Sequence, residues 1–92
     1  MILTLYDMKV KNIETDGEMS AYGTAGYNGA MVVDADHFGR AIQRGLLPGD
    51  VIVAVGDREI RSARDLEGLE RAMEEETVIL LRAQGRTVLP SR

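Results

Sequence analysis

Residues 45–60 constrain this chain more than any other stretch. They read Gly-Leu-Leu-Pro-Gly-Asp-Val-Ile-Val-Ala-Val-Gly-Asp-Arg-Glu-Ile. Gly45 offers the left-handed position that ends a helix, with Leu46 placed to pack back on the last turn. Pro48 presets φ at the second position of the next turn, and Gly49 permits φ > 0 at the third, as a type II turn requires. Val51-Ile52-Val53-Ala54-Val55 is a dense β-branched run and the best strand in the chain. Gly56-Asp57 then turns it into a short strand over residues 58–60. A helix end, a tight turn, a buried strand and a second turn at fixed offsets leave few folds open.

The flanks extend this pattern. Residues 37–44 read as a helix with Ala41 and Ile42 inward, and residues 30–33 as a short buried strand. Ser62 followed by Asp65 is a capping signal. Behind it Leu66, Leu69 and Met73 recur at i, i+3 and i+7, the apolar face of a helix over residues 62–73. Gly68 sits inside that helix at a cost of about 1 kcal/mol relative to Ala, which suggests that something packs closely there. Residues 77–83 and 86–89 form a hairpin around Gln84-Gly85. Residues 2–13 alternate loosely and make one or two strands broken near Asp7. Residues 14–29 hold Gly17, Gly23, Gly26 and Gly29, a density that means a loop, with room for one helical turn around residues 18–22. Several short strands and two helices in under a hundred residues point to a small, partly open β-barrel or sandwich plugged by helices.

Composition excludes several functions. Ninety-two residues make one small domain. One Phe, three Tyr and no Trp leave an aliphatic core. A net charge of −4 argues against a nucleic-acid surface and against an anionic membrane. Without cysteine there is no thiol nucleophile, disulfide or Cys-type zinc site. The run Glu74-Glu75-Glu76 fits a solvated helix end better than a metal site. His37 is the one histidine and reads as a surface residue. Asp50 follows Pro-Gly and reads as a turn residue. Tyr22 and Tyr27 read as anchors of the Gly-rich loop. Ser20 and Ser62 have no base arranged to activate a hydroxyl, and Gly23-Thr24-Ala25-Gly26 lacks the strand and lysine of a phosphate loop. No enzyme and no cofactor is indicated.

The element order and the 45–60 segment resemble bacterial PDZ domains, which show A-G-L-x-P-G-D-x-I-x-x-V-N-G-x-x-I there. A Ser-capped helix with Asp-Leu follows, as in Ser62, Asp65 and Leu66, and a T-V-x-L-x-x-x-R-x-G hairpin, similar to residues 77–86. The clear match runs from residue 29 to residue 89. The nearest type is the PDZ module of HtrA/Deg-type envelope proteases. The resemblance implies an α+β, PDZ-like, partly open barrel or sandwich of five to six strands and two helices in the permuted bacterial strand order. It also implies a single domain over residues 1–92. The opening Met directly before a strand suggests a piece cut from a longer protein.

By the same resemblance, Leu5-Tyr6-Asp7-Met8 stands where the family has a carboxylate-binding loop. Residues 9–13 would be the strand that receives the peptide, with the 62–73 helix as opposing wall. Peptide binding by strand addition would then involve Leu5, Tyr6, Asp7, Met8, Lys9, Val10, Lys11, Leu66, Leu69 and Met73. Backbone N–H groups of the loop would face the terminal carboxylate, and Met8 and Met73 would form an adaptable pocket. Two departures stand out. Asp7 replaces the family's loop glycine, which places a negative charge beside the expected carboxylate and strains any φ > 0. His37-Phe38-Gly39-Arg40-Ala41 replaces P-G-S-P-A. Each candidate keeps a plainer reading: Leu66, Leu69 and Met73 also fit a core face, and Lys9 and Lys11 also fit an edge guarded against aggregation. The implied partners are protein C-termini or unfolded segments and an attached serine protease domain, in the periplasm or another envelope compartment. The rival reading is a scaffolding PDZ-like domain with a blocked groove.

Overall fold

The computed structural model describes residues 2–13 and 29–92. Seven strands are present among them: β1 (Ile2–Leu5), β2 (Met8–Asn12), β3 (Ala30–Ala35), β4 (Val51–Val55), β5 (Arg58–Glu59), β6 (Val78–Arg82) and β7 (Gly85–Leu89). Two short helices join them, α1 (Arg40–Arg44) and α2 (Glu70–Glu75), with a 3-10 turn at Ala63–Leu66. The strands run β1-β2-β3-β4-β6-β7, with β5 paired to β4. All pairings are antiparallel. The expected α+β class stands, with seven strands in place of five to six because residues 2–12 divide into two strands, β1 and β2. The proposed Gly-rich loop, its helical turn, Ser20, Tyr22 and Tyr27 lie outside the described residues.

The 45–60 segment forms what its residues dictate. Gly45 adopts φ 106°, ψ 8°. Its N–H donates to Ile42 O, and Leu46 N–H donates to Ala41 O, the paired bonds of a Schellman stop. Asp50 N–H donates to Leu47 O at 3.1 Å and Gly49 has φ 96°, closing the turn. β4 is paired on both edges, and packing on both faces of the sheet buries the side chains of Val51, Ile52 and Val55.

The main core joins Met8, Val10, Val32, Ala41, Leu46, Ile52, Val55, Ile60, Leu66, Leu69, Met73, Val78 and Leu80. A smaller cluster of Ile13, Met31 and Val51 shows that the sheet is apolar on both sides.

The helix expected over residues 62–73 is corrected. Asp65 caps the 3-10 turn by accepting from the N–H groups of Arg61 and Ser62. The chain then breaks at Gly68, φ 79°, and α2 starts only at Glu70. Nothing packs against Gly68, because an added Cβ would meet no atom within 4 Å. The glycine serves a left-handed bend that an L residue resists. Leu66, Leu69 and Met73 therefore come from a turn, a cap and a helix, yet they still converge on one core.

Buried charge holds the rear of the molecule. Arg44 on α1 donates to Met73 O (2.8 Å), Glu76 O (2.7 Å) and Pro90 O (2.8 Å). It thus satisfies carbonyls at the C-terminal end of α2 that have no partner within the helix. Asp50 accepts from Arg82 through both carboxylate oxygens (2.8 and 2.9 Å) and from Leu47 N–H (2.9 Å). Arg82 also donates to Gly45 O. Asp50 is a turn residue, and its buried carboxylate ties that turn to β6.

Candidate functional site: the front hairpin and its helical wall

Residues 2–12 form a hairpin in which β1 pairs with β2 in the register Leu3↔Val10, Thr4↔Lys9, Leu5↔Met8. Its two-residue turn is Tyr6-Asp7, with φ 50° and 58°. Both residues are left-handed, as a type I′ turn demands. No glycine relieves the strain there, so side-chain partners must hold the turn. Asp7 Oδ2 accepts from Arg40 N–H (2.9 Å) and from Arg40 Nε (3.1 Å). Those bonds, the backbone one foremost, hold the Asp7 carboxyl below the usual carboxylate range. Arg40 Nη2 donates to Glu70 Oε2 at 2.8 Å, and its guanidinium carbon lies 5.0 Å from the centroid of the Tyr6 ring. Gly39 allows this approach, since a Cβ there would sit 2.5 Å from Asp7 Cβ.

Tyr6 is buried. Its N–H donates to Glu70 Oε2 at 2.9 Å, and its hydroxyl donates to Glu74 Oε2. Burial, with the Glu74 carboxylate beside it, pushes the Tyr6 phenol up to about 12. Glu74 also accepts from Arg92 through Oε1. The acidic run at residues 74–76 is thus a helix end, as expected, but Glu74 carries two specific partners.

The structure brings most of the sequence-selected residues together and corrects what surrounds them. Met8 and Val10 point into the core, and Lys9 is exposed. The 62–73 wall faces them through Leu66, Leu69 and Met73. However, the front edge expected to be open is closed: β2 is paired with β1 on one side and β3 on the other. The slot expected beside it is filled too. Leu3 and Leu5 pack against the core cluster that contains Leu66, Leu69 and Met73. Met8 and Met73 are fully packed core residues rather than the walls of an open pocket. The loop N–H expected to meet a ligand carboxylate already meets one of the protein's own, Glu70.

Sequence reading missed Glu70, Glu74, Arg40 and the part played by β1. The three charged residues lie 33 to 68 positions from the turn residues they hold, a distance that no local pattern reports. The signal for β1 was present in Leu3-Thr4-Leu5, an alternation that matches Met8-Lys9-Val10. Among the described residues, no group of three or more His, Cys, Asp or Glu could hold a metal, and no helix is long and apolar enough to cross a membrane.

Comparison with known proteins places this geometry. No family model matches the chain. A curated relative, HhoB of Synechocystis sp., provisionally named a serine protease, is 32% identical over 66 residues. That match covers 72% of this chain and 16% of the relative, so the chain accounts for a small part of that protein's length. Among solved structures, the HtrA3 PDZ domain bound to a phage-derived ligand, FGRWV, superposes with a TM-score of 0.68 at 15% identity. The superposition covers 99% of this chain and 85% of that one. The chain has the PDZ fold, and it resembles, in sequence and in structure, the PDZ domains that HtrA-type serine proteases carry.

Proposed function

We propose that this chain is a non-catalytic peptide-recognition domain that takes an extended segment of another protein by strand pairing along the β2 edge that β1 covers in this structure. One observation carries the reading. The outer edge of β2, beside the wall of Leu66, Leu69 and Met73, accepts an antiparallel strand with aliphatic residues at alternate positions, because β1 lies there. Main-chain pairing supplies affinity that tolerates sequence, and the alternate side chains supply selectivity. The HtrA3 PDZ domain with its bound FGRWV ligand supports the reading by analogy of fold.

The resemblance to HhoB supports a role beside a serine protease domain, in one longer polypeptide and in an extracytoplasmic compartment. In that role the domain presents or senses substrate segments, and the main chain of residues 8–11 on β2 pairs with them. Titrating the domain with a library of extended and C-terminal peptides, read by backbone amide shifts, tests this. The expected result is saturable shifts confined to β1, β2 and residues 62–73. No shift up to millimolar peptide would rule it out.

A second reading, a scaffolding domain with a closed groove, is favoured by the closed edge and by Glu70 on the Tyr6 amide. The same titration separates the two.

A further inference from the structure

The front hairpin does more than fill space. β1 lies antiparallel on the outer edge of β2 and is the last strand of the sheet among the described residues. Leu3 and Leu5 face the core, while Ile2 and Thr4 face out. The Tyr6 amide at its end is held by the Glu70 carboxylate at 2.9 Å. An added peptide strand would use the same three features: the outer β2 edge, two apolar seats two residues apart, and the Tyr6 amide. β1 and Glu70 already occupy all three.

The fastening is of a kind that releases. The turn is left-handed at two non-glycine residues. The ion pairs that hold it are open to water: Arg40 is 52% exposed, Asp7 39% and Glu70 41%. Exposed pairs of this sort contribute little net stability and are weakened by salt.

We propose that β1 is a tethered ligand of the slot and that ligand entry is an exchange. An incoming extended segment with aliphatic side chains two residues apart, the pattern of Leu3-Thr4-Leu5, replaces β1 on β2. This rests on the peptide-recognition reading above and adds its regulation and its ligand pattern. The tether makes the competition intramolecular, so the resident strand acts at high effective concentration. A ligand therefore binds with its intrinsic affinity reduced by the fraction of molecules in which β1 is seated.

A reversible lock tests this. In a two-residue hairpin Leu5 and Met8 exchange both hydrogen bonds, so Thr4 and Lys9 form the next, non-hydrogen-bonded pair, whose Cβ atoms are closest. Both residues are exposed, and the chain has no cysteine. The double variant Thr4→Cys/Lys9→Cys thus forms one disulfide that pins β1 without touching the core. The probe is a fluorescein-labelled, amidated Ile-Leu-Thr-Leu-Tyr peptide, followed by anisotropy. The reduced protein is expected to bind at least tenfold more tightly than the oxidised one. Leu3→Ser, which weakens the resident strand, is expected to bind at least threefold more tightly than the unaltered chain. Equal binding by the oxidised and reduced forms overturns the exchange and leaves peptide recognition standing. Absence of binding by the reduced, Leu3→Ser and unaltered proteins, each folded by circular dichroism, overturns peptide recognition and the exchange with it. Should Leu3→Ser fail to fold, the redox pair decides alone, because it compares one polypeptide with itself.

Discussion

The rear and the front of this domain both rely on charged side chains, but they use them in opposite ways. At the rear, Arg44 and Asp50 are buried, and their bonds go to backbone carbonyls or to one bidentate partner. At the front, Arg40 bridges Asp7 and Glu70 in the open. A buried charge that loses its partner is costly, whereas an exposed one turns to water. The rear is therefore a permanent joint between α1, α2, β6 and the C-terminal residues. The front pins a strained turn with bonds that water can replace at small cost.

The largest effect should come from the rear. Asp50→Ala leaves the Arg82 guanidinium, 24% exposed, without its carboxylate and frees the turn at residues 47–50. A loss of about 3 kcal/mol is expected, measured by urea unfolding. A loss below about 1 kcal/mol would break the contrast between rear and front. Arg44→Met comes next. It keeps the aliphatic stem but strips the partners from Met73 O, Glu76 O and Pro90 O, at about 2 kcal/mol. The cost should persist in high salt, because the bonds run to carbonyls rather than to an exposed ion.

Two smaller effects sharpen the front half of the comparison. The Tyr6 phenol is raised from 10.0 to about 12 in the folded state. Its stabilising contribution is therefore complete below pH 10 and is lost as pH climbs through 12. Tyr6→Phe should remove that part of the alkaline loss, seen as a shallower fall of the thermal midpoint between those pH values. The smallest effect is expected for Arg40→Ala. The first cause of the low Asp7 pKa is the Arg40 backbone N–H, an atom that alanine keeps. Asp7 should thus still titrate below the ordinary carboxylate value, as followed by side-chain carboxyl carbon shifts, and the thermal midpoint should barely move.

The same contrast explains what was legible in the sequence. The helix stop at Gly45, the turn at Pro48-Gly49, strand β4 and the Ser62/Asp65 cap are local, set by φ preferences and side chains within a few residues. They could be read directly. Gly68 reads in the sequence as a site of close packing and is in fact a bend, since a glycine in an apolar repeat marks either one and periodicity does not distinguish them. Leu66, Leu69 and Met73 were correctly grouped, although the regular helix that grouped them does not exist. The front turn was hidden for a different reason. Tyr6-Asp7 lacks the Asn-Gly or Asp-Gly signature of a type I′ turn. It is held instead by Arg40, Glu70 and Glu74, which arrive from α1 and α2. The state of the slot, empty or filled, depends on those distant residues and so lay beyond any local pattern.

Glu74 gives the arrangement one more property. Its two oxygens are divided between Tyr6, at the head of the chain, and Arg92, at its foot. One carboxylate therefore fastens the front hairpin and residue 92 alike, and any change that removes it unties both at once.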